Sequence, residues 1–167
     1  YPKVALGHWP PLFFVAQAAW TLLLPPSRVA LMLLTAVLGA LTALAIYLGL
    51  RRDFGRILSF AGGGPFLLIP VVQDLSMLLM ADMLTALLAF LAACWWGRFL
   101  DSERARDAAG FGFFAALAIL TKGSGFALAL LPPLAVLFSR EFGLLKKPAF
   151  WFPPLLIVGV LCVPWYA

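Results

Sequence analysis

The sequence predicts an all-α fold, a polytopic transmembrane helical bundle, and three observations support this class. Hydrophobic residues make up 64% of the 167 residues and charged residues only 11%, whereas soluble domains average roughly 45–50% and about 25%. The mean hydropathy is +1.03. Apolar runs near the length of a membrane span alternate with short basic segments. Because lipid-facing positions accept Leu, Ala and Phe, such a chain needs no polar surface, and a soluble domain is excluded.

The first two spans are predicted at 29–50 and 57–72. A helix needs about 20 apolar residues to cross the hydrocarbon, which the first run supplies. The second run is interrupted by Gly62 to Gly64 and by two prolines, Pro65 and Pro70. Such breakers are tolerated in a span only where neighbouring helices cover the freed backbone groups. No Lys-Ser/Thr pair follows the glycines, so they indicate close helix packing rather than a phosphate loop.

Four further spans are predicted at 83–99, 108–120, 126–138 and 149–167, which makes six. The fourth and fifth are about 13 residues each, so each helix is about 20 Å long at 1.5 Å per residue. That is shorter than the roughly 30 Å hydrocarbon core. The turn between them, Thr121 to Gly125, is therefore expected to dip into the membrane.

The basic residues predict the topology, because nine of the twelve Lys and Arg residues lie in three segments between these spans. They are Arg51, Arg52, Arg56, Arg98, Arg104, Arg106, Arg140, Lys146 and Lys147. The positive-inside rule places all three segments in the cytoplasm, and two spans separate each consecutive pair. Segment 10–24 is too short to span and would break this parity, so we expect it to form a helix along the exoplasmic surface. The predicted domains are an exoplasmic loop end with this interfacial helix, 1–26, and a transmembrane core, 27–167.

Several function classes receive no support from the sequence. The net charge of +5 is explained by orientation in a membrane, so nucleic acid is not an expected partner. Cys94 and Cys162 each lie in an apolar run, where they are expected to be buried hydrophobes rather than a disulfide or metal pair. No cofactor motif is present, and no cofactor is expected. Since the chain starts at Tyr1 and ends in an apolar run, we expect it to be a segment of a longer, multi-pass protein of the inner or plasma membrane.

Few ionisable residues remain outside the three basic segments and their acidic companions, and all of them fall on or near the predicted exoplasmic side. They are Lys3, His8, Arg28, Asp74, Asp82 and Lys122. Ionisable groups near the hydrocarbon are energetically costly and often mark functional sites. The sequence therefore predicts a binding site on the exoplasmic side.

Lys122 and Asp82 each have two interpretations. The ammonium of Lys122, together with the amides of the helix begun by Gly123 to Gly125, is suited to bind an anion such as phosphate. Alternatively, Lys122 is an interfacial lysine that extends toward water. Asp82 either caps the helix that it begins or orients a polyhydroxylated or basic acceptor.

Asp74 and His8 complete the set of candidate residues. Asp74 belongs to the same predicted turn as Asp82, Gln73 to Asp82, and either pairs with a basic residue or faces water. His8 precedes Trp9 and two prolines, which hold the preceding backbone in a restricted conformation. An imidazole there is suited to hydrogen-bond a phosphate or to titrate near neutral pH. Metal binding is its third interpretation, for which one histidine without a second ligand is weak evidence, and the sequence leaves metal dependence open.

Four segments, in this order, resemble the membrane core of GT-C glycosyltransferases. They are "GHWPPLFF" (7–14), "YLGLRRDFGR" (47–56), "MADMLTALLAFLAACWWGRFL" (80–100) and "AILTKGSGFALALLPPL" (118–134). The resemblance is to the protein O-mannosyltransferase-like branch, which includes lipid A aminoarabinose transferases and galacturonic acid transferases of the core oligosaccharide. It extends over nearly the whole chain and implies a GT-C-like core.

This resemblance implies transfer of a sugar from a polyprenyl-phosphate donor to a lipid, protein or glycan acceptor on the exoplasmic face. Lys122 matches the lysine of the family's "LTKG" turn, expected at the donor phosphate, and Asp82 matches an acidic residue expected near the sugar or acceptor. His8 matches a polar residue before the paired prolines, although Trp9 separates it from them here. The catalytic base is expected on an acidic loop upstream of Tyr1.

Two other functions remain open from the sequence. A secondary transporter of an anionic substrate would also use broken helices and an exoplasmic lysine. Against it, the sequence contains no internal repeat, and its polar groups gather on one side. The second alternative is a structural subunit in which every charge is an anchor; binding of a phosphate-containing lipid at Lys122 would separate that from the first two.

Overall fold

Residues 10–167 are described by the structure, a computed structural model, and their regular secondary structure is helical, with no β-strand in that range. Between residues 10 and 167 there are seven α-helices: α1 (Leu12–Thr21), α2 (Arg28–Gly63), α3 (Pro70–Met77), α4 (Asp82–Ser102), α5 (Ala105–Thr121), α6 (Leu131–Ser139) and α7 (Pro148–Tyr166). Three 3₁₀ segments connect them: Pro65–Leu68, Gly123–Leu130 and Phe142–Lys146. The predicted all-α class is confirmed.

Among the described residues, three helical stretches are long and apolar enough to cross a membrane, namely Arg28–Leu68, Asp82–Ser102 and Pro148–Tyr166. Shorter apolar helices accompany them at Leu12–Thr21 and Gly123–Ser139. These stretches confirm a helical membrane bundle. The count of six spans and the division at 26/27 stay predictions.

Helix α2 doubles back on itself at Gly55, whose φ of 72° and ψ of −178° lie in a region that glycine enters at little steric cost. The chain beyond it packs against the first leg so closely that a Cβ on Gly63 would lie 2.8 Å from the carbonyl oxygen of Ala43. The predicted runs 29–50 and 57–72 are therefore two antiparallel legs joined by one residue. The close packing predicted for the glycine run is confirmed.

The second leg continues as a broken helix toward the start of α2. Pro65 and Pro70 each occupy a first helical position, where a missing N–H costs nothing. The hydroxyl of Thr35 donates to the carbonyl oxygen of Ser76 at 2.7 Å and joins α3 to the first leg of α2. The leg therefore returns to the end of the bundle where α2 begins.

Helices α4 and α5 form an antiparallel pair, connected through Glu103 in the left-handed conformation (φ 54°). Helix α7 runs beside α5 in the same direction. Its Tyr166 hydroxyl donates to the carbonyl oxygen of Ile119 at 3.2 Å, and Cys162 lies one turn earlier beside Ala116.

The fourth and fifth predicted spans are longer than the sequence indicated. Helix α5 has 17 residues, or about 25 Å. The segment Gly123–Leu130 is a 3₁₀ helix, whose rise of about 2.0 Å per residue brings it and α6 together to about 30 Å. Both helical segments are therefore longer than the 13 residues predicted for each, whereas the dip of the turn into the membrane stays a prediction.

The three basic segments gather at one end of the bundle. Arg52 binds Asp101 at 2.9 Å, and Lys147 forms an ion pair with Glu103. Below these pairs lies an aromatic cluster in which the Trp96 ring contacts three phenylalanine rings at centroid distances of 4.9–5.1 Å. Val136 and Leu144, which flank Arg140 in sequence, pack in the same cluster. The shared end agrees with the predicted topology, whereas the side of the membrane that it faces stays a prediction.

Helix α1 lies at the opposite end. Its ten residues extend about 15 Å, which is too short to cross the hydrocarbon core. Phe13 is buried among residues of α2 and α4, including Leu34 and Met83. The indole N–H of Trp20 donates to the carbonyl oxygen of Ala30 at 2.8 Å. The helix predicted within 10–24 is present, and its exoplasmic location stays a prediction.

Candidate functional site

An ion pair between Lys122 and Asp82 lies at the end of the bundle opposite the basic segments. The Nζ atom of Lys122 is 2.6 Å from Oδ1 of Asp82, and the two side chains are 34% and 26% exposed. Two of the residues that the sequence singled out are thus brought into direct contact.

The helix arrangement explains why these two side chains meet. Asp82 is the first residue of α4, and Lys122 directly follows the last residue of α5. Both lie twenty residues from Ser102, which ends α4, so they are opposite each other in an antiparallel hairpin. The carboxylate lies at a helix N-terminus and the ammonium at a helix C-terminus, so each charge is favoured by the adjacent helix dipole.

The backbone around Lys122 is held by short-range contacts. Its N–H donates to the carbonyl oxygen of Ala118 at 3.0 Å, and its own carbonyl oxygen accepts from the N–H of Gly125 at 2.8 Å. Gly125 is buried so tightly against α5 that a Cβ there would lie 2.6 Å from backbone atoms of Ala118 and Ile119. The segment after Lys122 therefore folds back at once, and the predicted helix begins as a 3₁₀ helix rather than an α-helix.

The ammonium of Lys122 keeps capacity for a ligand. It carries three N–H donors, of which the ion pair with Asp82 occupies one. About a third of the side chain is exposed, and the neighbouring Gly123 and Ser124 are exposed as well. An anion reaching this end of the bundle meets a positioned cation beside the start of a helix.

The capping interpretation of Asp82 is not what the structure shows. The N-cap of α4 is Ala81, and no side chain caps this helix by a hydrogen bond. The carboxylate instead holds the ammonium of Lys122.

The other two candidate residues are not part of this pair. Asp74 lies on α3, is exposed, and makes no ion pair within residues 10–167. The predicted turn from Gln73 to Asp82 is shorter than expected, because α3 extends to Met77. His8 lies outside the described residues. Over the same described range, no three His, Cys, Asp or Glu side chains are grouped closely enough to hold a metal ion.

A family model described as dolichyl-phosphate-mannose-protein mannosyltransferase matches residues 8–167. The chain belongs to this mannosyltransferase family. No curated protein and no solved structure matches the chain significantly. Family membership confirms the resemblance to the mannosyltransferase-like branch and indicates a membrane glycosyltransferase.

Sequence reasoning missed that Lys122 and Asp82 contact each other in this mannosyltransferase-family chain. Asp82 was interpreted as a cap or as an acceptor-binding group, each independent of Lys122. Residues that are equally far from the turn of a helical hairpin lie opposite each other. Asp82 and Lys122 are equally far from Ser102, where α4 ends, and this symmetry is the sequence signal for their contact. The predicted lengths of 83–99 and 108–120 were too short to show this symmetry.

Replacing Asp82 with asparagine is expected to lower the free energy of unfolding by about 1–2 kcal/mol, between the values for exposed and buried ion pairs. The matched control is Asp74→Asn, which removes an exposed carboxylate and is expected to change stability by less than about 0.5 kcal/mol. Thermal unfolding in detergent measures both. Equal effects of the two substitutions would contradict a stabilising Lys122–Asp82 pair.

Proposed function

We propose that the protein transfers a sugar from a polyprenyl-phosphate donor to a lipid, protein or glycan acceptor on the exoplasmic face of the membrane, and that Lys122 binds the donor phosphate. The observation that carries this proposal is the positioned, partly exposed ammonium of Lys122, 2.6 Å from Asp82. It belongs to a chain of a mannosyltransferase family. Polyprenyl phosphate is an anionic lipid, so it suits a cation at the membrane surface.

The reaction requires two kinds of assistance. The acceptor hydroxyl oxygen attacks the anomeric carbon of the sugar, the bond from that carbon to the phosphate oxygen breaks, and polyprenyl phosphate leaves with the bonding electrons. A general base takes the proton of the hydroxyl. A cation at the phosphate stabilises the charge that develops on the leaving group. Lys122 supplies the second function, and the base is expected upstream of Tyr1.

Asp82 has a positioning role in this proposal. Its carboxylate holds Nζ of Lys122, and we assign the sugar of the phosphate-bound donor to the space beside it. Carboxylate oxygens accept hydrogen bonds from sugar hydroxyls. We assign His8 and Asp74 to the same substrate region, within the exoplasmic loop end 1–26 and on α3 respectively.

The exoplasmic assignment rests on charge. Arg52 and Lys147 make ion pairs at the same end of the bundle, where the basic segments are gathered. The positive-inside rule assigns that end to the cytoplasm. Lys122 and Asp82, at the other end, are then exoplasmic.

A transfer assay tests this function against the transporter alternative. The intact protein is reconstituted in liposomes with labelled polyprenyl-phosphate mannose and a membrane extract that supplies acceptors. We expect the label to move from the lipid to an acceptor, with one polyprenyl phosphate released per sugar transferred. An unconsumed donor, together with protein-dependent uptake of phosphate into the liposomes, would contradict the proposal and favour a transporter.

A further inference from the structure

An open groove of about 920 Å³ runs between the first leg of α2 and helix α4. Its walls come from residues 41–53 of α2 and 87–101 of α4, so it lies away from Lys122 and reaches the basic end of the bundle. Most of its length is apolar, with Leu44, Leu48 and Phe90 among the residues that line it. Leu44 and Leu48 are about half exposed. The apolar wall of such a groove is suited to a lipid acyl chain.

Four charged residues line the basic end of the groove: Arg52, Asp53, Arg98 and Asp101. Arg52 and Asp101 neutralise each other, with nitrogen and oxygen 2.9 Å apart. Arg98 rests on the face of Trp95, its guanidinium carbon 5.0 Å from the ring centre. Neither Arg98 nor Asp53 makes an ion pair with any residue in the range 10–167. Among the residues that line the groove, one cation and one anion are thus left without an ion pair in that range.

We propose that this groove binds phosphatidylethanolamine, a phospholipid whose headgroup carries both a phosphate and a primary ammonium. An acyl chain lies along the leucine wall, the phosphate meets the guanidinium of Arg98, and the ammonium meets the carboxylate of Asp53. Arginine is suited to phosphate because its planar guanidinium donates two parallel hydrogen bonds. Basic pockets between membrane helices are a recurring type of site for anionic lipid headgroups, and the carboxylate of Asp53 distinguishes this groove from them.

The two lining charges that make no ion pair in the range 10–167, Arg98 and Asp53, select this headgroup over two common ones. A purely anionic headgroup would bind Arg98 but would bring no positive charge to the carboxylate of Asp53. A choline headgroup carries a positive charge but no N–H, so it cannot donate a hydrogen bond to Asp53. The site is separate from the Lys122–Asp82 pair, and the proposal does not depend on the transfer reaction.

Competition binding tests the headgroup. The intact protein in detergent is titrated with pyrene-labelled phosphatidylethanolamine, and unlabelled phosphatidylethanolamine, phosphatidylcholine and phosphatidylglycerol are added as competitors. We expect phosphatidylethanolamine to compete at a concentration about tenfold below the other two, which is the ratio expected for one charge-assisted hydrogen bond. Asp53→Asn is expected to remove this preference. Arg98→Gln is expected to weaken binding of all three lipids, whereas Lys146→Gln, an exposed residue outside the groove, leaves binding unchanged.

A second variant tests the groove itself. A Cβ at Gly97 meets nothing within 4 Å, and Gly97 lines the groove, so Gly97→Trp is expected to place an indole in the groove. Gly159 on α7 is equally open and lies outside the groove, so Gly159→Trp is the matched control. We expect Gly97→Trp to abolish binding of the labelled lipid and Gly159→Trp to leave it intact. Absence of binding to the wild type, equal competition by all three lipids, preference for phosphatidylglycerol, or normal binding by Gly97→Trp would each overturn the proposal.

Discussion

Replacing Gly125 with alanine is expected to lower both the melting temperature and the affinity for polyprenyl phosphate. The added Cβ would lie 2.6 Å from backbone atoms of Ala118 and Ile119, which belong to α5 and cannot rotate away. The 3₁₀ segment must then shift outward, and the N–H of Gly125 moves away from the carbonyl oxygen of Lys122. Overpacking of this kind costs roughly 1–3 kcal/mol. Thermal unfolding and lipid binding in detergent measure the two effects.

Gly123→Ala is the matched control for this prediction. It lies in the same turn, two residues earlier, where a Cβ meets nothing within 4 Å. We expect it to leave both quantities close to those of the wild type. If Gly125→Ala and Gly123→Ala behaved alike, the close approach of the 3₁₀ segment to α5 would not be what positions Lys122.

Replacing Lys122 with glutamate is expected to reduce sugar transfer at least about 100-fold, the size of effect that follows loss of one donor that stabilises a developing anion. The substitution removes the ammonium and places a second carboxylate beside Asp82, so the donor phosphate meets two negative charges. Lys122→Arg keeps the charge and is expected to retain part of the activity. The assay is release of polyprenyl phosphate from labelled donor by the reconstituted protein.

Lys146→Glu is the control for this charge reversal. Lys146 is exposed in a segment at the opposite end of the bundle, so we expect its reversal to change the transfer rate less than twofold. Wild-type transfer by Lys122→Glu would show that the ammonium of Lys122 has no part in the reaction.

The fold class could be predicted from composition, because an apolar chain with few charges has few alternatives to a helical membrane bundle. The reversal at Gly55 could not be predicted in detail. The sequence indicated a basic loop there, whereas one glycine in a left-handed conformation lets α2 continue as helix almost to the turn. The 3₁₀ geometry of Gly123–Leu130 could not be predicted either, because its apolar residues are compatible with both an α-helix and a 3₁₀ helix.

The candidate site was predicted residue by residue but not as an arrangement. Because ionisable groups are rare in this chain, the sequence points to Lys122 and to Asp82 as separate residues. Lys122 and Asp82 form one ion pair because of where α4 and α5 begin and end. These helix ends are difficult to predict, because charged residues lie inside the first and last turns. Asp107, for example, lies in the first turn of α5 and is buried, although it reads as part of a charged loop.

The most direct test of the central claim is binding of polyprenyl phosphate to the purified, intact protein, with Lys122→Ala compared against the wild type. We predict that the substitution weakens binding at least about tenfold, the loss expected from one charge-assisted hydrogen bond, while the melting temperature shows that the protein remains folded. Unchanged binding by a folded Lys122→Ala protein would contradict the assignment of Lys122 to the donor phosphate. Absence of binding by the wild type would contradict the polyprenyl-phosphate donor itself.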